Sequence, residues 1–128
     1  MSFNPEQTLK AALEQSGYQN VFRGEQKQPS EHIPAEAIFV MVFGGEQPDF
    51  TMNEGASYNR TSIQIMVRSS PQDEEGSKDR AFDIYHDMKF TAPGDSVLLR
   101  PDAPPIRLGK DDDDIYRWSI NFRMDWMA

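Results

Sequence analysis

Residues 116–126 read Tyr-Arg-Trp-Ser-Ile-Asn-Phe-Arg-Met-Asp-Trp, and no other stretch restricts the fold as much. Every even position is apolar: Tyr116, Trp118, Ile120, Phe122, Met124 and Trp126. Every odd position is polar: Arg117, Ser119, Asn121, Arg123 and Asp125. Strict alternation over this length predicts a β-strand with one buried and one wet face. A helix would scatter the same rings around its circumference. Trp118, Ile120 and Phe122 are therefore expected core residues, since large rings bury much area each. A slip of one residue would turn them all to water, which pins the register.

A second alternating run, residues 61–69, puts Ile63, Ile65 and Val67 on one face and Gln64, Met66 and Arg68 on the other. Residues 36–43 are almost unbroken apolar, which implies burial on both faces or one face against a partner. A short edge strand is expected within 18–23, and further strands at 97–100 and 106–108. Asn4-Pro5-Glu6-Gln7 carries a cap, a first-turn proline and a capping-box glutamine, predicting a helix over 5–16 with Leu13 on its inner face. Gly17 supplies the stop. Ser70-Pro71-Gln72-Asp73 has the same logic and predicts a second helix to about Lys89, with Ala81, Ile84, Tyr85 and Met88 facing inward. Residues 44–60, with Gly44, Gly45, Pro48 and Gly55, read as a long polar connection. Its apolar Phe50, Met52 and Tyr58 either mark a protein contact or tuck back onto their own domain. The order of elements predicts an α+β two-layer domain spanning 1–128: a mainly antiparallel or mixed sheet of about four to five strands, with two helices on one face.

With 128 residues and 27% charged, the chain suits a globular domain of modest core. A net charge of −8 argues against a nucleic-acid grip, which needs clustered Lys and Arg. There is no cysteine, so neither disulfides nor thiolate chemistry arise. No secretory leader pattern opens the sequence. The longest apolar run, 38–43, is far too short to span a membrane.

Candidate chemistry is sparse. Asp111, Asp112, Asp113 and Asp114 could offer oxygens to Ca²⁺, but lack the alternation and distal Glu of an EF-hand loop. A solvated turn is the better reading. His86 with Asp83 and Asp87 lies off the predicted core stripe and reads as solvated helix. No Gly-x-Ser-x-Gly elbow is present, and no Gly-Lys-Ser/Thr follows Gly44-Gly45. Stacking of bases on Trp118, Phe122 and Trp126 is disfavoured by the net charge. No catalytic residue, metal ligand or cofactor is expected, and an enzyme is the least favoured class.

Several runs together resemble a known family. These are Asn20-Val21-Phe22-Arg23-Gly24, then Ala37-Ile38-Phe39-Val40-Met41-Val42-Phe43-Gly44-Gly45, then Arg60-Thr61-Ser62-Ile63-Gln64-Ile65-Met66-Val67-Arg68. Ile84-Tyr85-His86-Asp87-Met88 and Leu108-Gly109-Lys110-Asp111, leading into 116–122, complete the pattern. The chain resembles the minor capsid and tail-terminator proteins of long-tailed bacteriophages and prophages, over roughly residues 5–126. The resemblance implies an α+β subunit that assembles with itself into a ring, commonly a hexamer. That ring would cap the tail-tube protein, meet the head connector protein and let DNA pass without specific binding. It implies a location at the tail–head junction of the virion, after synthesis in the host cytoplasm. Phe50, Met52, Tyr58, Asp111 and Asp112 are the expected contact residues, with 90–110 as an axial docking segment. The Asp111–Asp114 run is more acidic than the family pattern. Two other readings remain: a neck or head–tail connector adaptor of the same particle, and an unrelated small ligand- or Ca²⁺-binding module.

Overall fold

The computed structural model describes residues 3–50, 57–111 and 114–127. Helix α1, Pro5–Gln15, begins as its cap dictates: Asn4 Oδ1 accepts from the backbone N–H of Gln7 at 3.1 Å. The chain leaves it through Gly17, whose φ of +96° suits a residue without Cβ. Strand β1, Val21–Arg23, runs parallel to β2, Ile38–Phe50. Strand β3, Ser57–Arg68, returns antiparallel to β2. Helix α2, Glu74–Met88, follows, then β4 (Leu98–Pro101), β5 (Ile106–Lys110) and β6 (Tyr116–Met127). The sheet is ordered β1-β2-β3-β6-β4, with β5 also paired to β6.

The alternating strand β6 is central. One side is bonded to β3 from Tyr58↔Met127 to Arg68↔Arg117. The other carries β5 along its first half and β4 along its second. This makes six strands, more than the four to five expected, because two short segments share one edge of β6. Pro104 and Pro105 lie between those segments, where a ladder N–H is not available.

Three sequence expectations are corrected. Residues 44–60 are not a long connection. Strand β2 runs on to Phe50 and β3 starts at Ser57. Gly44, at φ +144°, ends a bulge after Val42 and hides the continuity of the strand. Pro48 is tolerated because β1 pairs only with residues 38–40, leaving the outer side of β2 unpaired beyond them. Helix α2 does not start at Ser70-Pro71. Gln72 is left-handed at φ +65°, and Asp73 is the cap, accepting from Gly76 N–H at 3.0 Å. Gly76, which reads as a fraying residue, has a packing reason: a Cβ there would fall 2.1 Å from Asp73 Oδ2.

Both helices lie on one face of the mixed sheet. Leu9 and Leu13 of α1 and Ala81, Ile84 and Met88 of α2 join a single core with Ile38, Val40, Ile63, Ile65, Val67, Ile120 and Phe122. Trp118 is 8% exposed, and Tyr85 is half-buried, stacked on Phe122. Full burial of each such aliphatic side chain stabilises the fold by about 1.5–3 kcal/mol. Phe3 stacks on Trp126 at 4.8 Å and holds the helix entry against the far end of β6.

The uncovered face of the sheet is partly shielded too. Phe39 points away from the helices yet is buried, as an unbroken apolar run implies. Its cover is Arg68, which is also fully buried. The Arg68 guanidinium donates to the backbone carbonyls of Lys27, Pro34 and Ala35, pinning the 24–36 segment over this face.

Candidate functional site

The expected contact residues fall at two ends of the sheet. Phe50 lies on β2, its backbone opposite Ser57; its side chain is outside the described residues, as are Met52 and Asp112 entirely. Tyr58 is half-buried on β3 and donates its hydroxyl to Asp125 Oδ2 at 2.8 Å. That bond holds the Tyr58 hydroxyl above the usual phenol range. Asp111 is at the opposite end, where Oδ1 accepts from Ile115 N–H at 3.2 Å. The ladder of β6 separates the two by roughly 35 Å at about 3.3 Å per residue. They form two patches.

The turn before β6 is internally engaged. Lys110 Nζ meets Asp114 Oδ1 at 3.1 Å, which raises the Lys110 pKa, and Asp114 is left-handed at φ +58°. Among the described residues, no group of three or more His, Asp or Glu is arranged to hold a metal. His86 is exposed on α2, and Asp87 beside it accepts from the Tyr18 hydroxyl at 2.6 Å. No described helix is long and apolar enough to cross a membrane.

A feature not singled out from the sequence lies on the open sheet face. The odd positions of β6 and the even positions of β3 point the same way, since Arg60 pairs with Asp125, Ser62 with Arg123, Gln64 with Asn121, and Arg68 with Arg117. Arg100 of β4 joins them opposite Arg123. Asp125, fully buried, accepts from Arg100 through Nε at 3.0 Å and Nη2 at 2.8 Å, as well as from Tyr58. Gln64 Nε2 donates to Ser119 Oγ at 2.9 Å. The row was legible as arginines in matching phase on two alternating strands, but only the β3–β6 register shows that they share one surface.

Beside this row the face becomes apolar. Phe39, Met41 and Met66 line a notch of about 290 Å³ with Gly24, Glu25, Gln26 and Gln64. Phe43, in the bulge, is 53% exposed, and Ile106 and Leu108 are exposed on β5. Flat surfaces rich in Phe, Met and Arg are what protein contacts are made of.

Over residues 29–126 the chain matches the family described as bacteriophage tail terminator protein. The chain belongs to the bacteriophage tail terminator family. It is a tail structural protein, and its open face, opposed end patches and exposed strand edge are the surfaces through which a tail terminator can touch other virion proteins. The fold is also that of a chain in the virion of the native gene transfer agent particle, with a TM-score of 0.62 and 15% identity. That alignment covers 95% of this chain and 90% of the other. No curated protein matches the chain.

Proposed function

We propose that this protein ends the phage tail as a closed ring of identical subunits, with six as the expected number. One side of the ring sits on the tail-tube protein, stopping its growth, and the other meets the head connector protein. DNA passes through the lumen without being read, and the protein performs no chemical step. The family match over 29–126 carries this reading. The net charge of −8 supports the DNA part, because like charge along a lumen discourages phosphate from sticking. A ring built head to tail needs two different patches on one subunit. Phe50, Met52 and Tyr58 at one end of the sheet serve one contact, and Asp111 and Asp112 with the 90–110 segment serve the axial one. The particle location is then the tail–head junction.

The test is mass by light scattering over a concentration series, with negative-stain images, alone and on purified tail tubes. Closed rings of one size that sit on tube ends are the expected result. Rings that bind only the connector would move the role to a neck adaptor. A chain that stays monomeric under both conditions overturns the proposal. Phe50→Asp is expected to weaken assembly while leaving the thermal midpoint of the subunit unchanged.

A further inference from the structure

The two layers of this subunit carry opposite charge. On the open sheet face stand Arg60, Arg68, Arg100, Arg117 and Arg123, five of the thirteen basic residues. Two cross-strand pairs are like-charged, Arg68 with Arg117 and Arg100 with Arg123, an arrangement that destabilises a sheet. The acids that answer them among the described side chains are Asp125, which is buried, and Asp102, 3.7 Å from Arg123. Arg100 and Arg123 still expose 53% and 37% of their side chains.

The helix layer is the reverse. Glu75, Asp79, Asp83 and Asp87 recur every fourth residue on α2 and are all exposed. Like charges at this spacing cost a helix a few tenths of a kcal/mol per pair. Glu75 and Asp79, with Glu74, Lys78, Arg107 and Trp118, also border an open hollow of about 460 Å³. Within one subunit the ridge and the arginine face cannot meet, since the sheet and its core lie between them and salt screens charges beyond about 8 Å. Each face therefore carries a charge pattern that destabilises its own element and that its own subunit leaves uncompensated.

We infer that the open sheet face of one subunit docks on the acidic α2 ridge of a second copy, head to tail. This deepens the ring reading and rests on it. The arginines meet Asp79 and Asp83 of the neighbour, and the Phe39/Met41/Met66 notch supplies the apolar part of the contact. The complementary occupant is a copy of this same chain because the chain carries both patterns, and repeating one heterologous contact is how a ring is built.

The test is a charge swap. The sheet-side variant is Arg123→Glu with Gln64→Glu, and the helix-side variant is Asp79→Lys with Asp83→Lys. Each alone is expected to weaken self-association at least about tenfold. An equal mixture of the two is expected to recover it, because every contact in an alternating ring is then complementary. So is a single chain carrying all four changes. Association is read by sedimentation, at a salt concentration where the wild type assembles, alone or on tail tubes. Circular dichroism melts check folding. The helix-side changes sit at exposed positions and relieve repulsion along α2, so that variant decides the matter should the sheet-side one not fold. Wild type that assembles while both variants assemble equally well overturns this inference and leaves the ring reading standing. Wild type that never assembles overturns the ring reading, and this one with it. Loss of duplex DNA retention in the sheet-side variant, with association unchanged, would assign the arginines to phosphate and also overturn it.

Discussion

The Arg68 guanidinium carbon lies 4.8 Å from the centre of the Phe39 ring, and the same group donates to three carbonyls of the 24–36 segment. Its burial lowers its pKa, although arginine stays charged at any working pH. One side chain thus seals an aromatic ring from water, ties down a segment without regular structure and ends the sheet ladder.

Arg68→Ala is expected to cost at least about 2 kcal/mol, since bonds to a charged donor are worth about 1.5–3 kcal/mol each and three carbonyls lose theirs. The same change should expose 24–36 to trypsin at Lys27. Urea unfolding and limited digestion check both. Unchanged cleavage would show that other contacts hold the segment.

Trp118→Ala should cost about 3–5 kcal/mol, the range for emptying a buried aromatic site. Its ring meets Phe82 edge-on at 5.8 Å, so Phe82 has no neighbour of equal size to fall back on. Denaturant midpoints measure the loss. A value below about 1 kcal/mol would remove Trp118 from the core.

Asp125 and Tyr58 are expected to be energetically coupled. A cycle of Asp125→Asn, Tyr58→Phe and the double variant should give an interaction of about 0.5–3 kcal/mol, as for groups in direct contact. Additive effects would mean that the 2.8 Å bond adds nothing to stability.

Stability should fall in alkali, and Tyr18 should account for part of it. Burial and then the hydrogen bond to Asp87 raise its folded-state pKa well above the free value of about 10. The unfolded chain therefore loses this proton first, and above pH about 10 the unfolded state binds fewer protons than the native one. The contribution is fully present below that pH and disappears as pH rises through the folded pKa. Tyr18→Phe should flatten the thermal midpoint against pH above about pH 10 relative to wild type. Parallel curves would refute the assignment.

Much of the fold was legible in the chain itself, for a local reason. Period-two alternation in residues 116–126 and 61–69 follows from which face of a strand is wet, and each residue reports its own face. The Asn4-Pro5 helix start is equally local, because a cap and its N–H are three residues apart. The 36–43 run announced two-sided burial, although nothing local named Arg68 as the cover of Phe39. Local reading failed where a neighbour overrides it. Gly44 and Pro48 look like loop residues, yet an unpaired strand edge and a bulge accommodate both. Ser70-Pro71 looks like a helix start, yet the turn bonded to the Asp114 carbonyl delays it to Asp73.

The alternation, the caps and the absence of cysteine were thus properties of the sequence by itself. The facing of five arginines across three strands, and the acids on the opposite layer, were decided by the tertiary structure alone. Strand register joins residues far apart in the chain, and no periodicity within one strand encodes which residue of another it will meet.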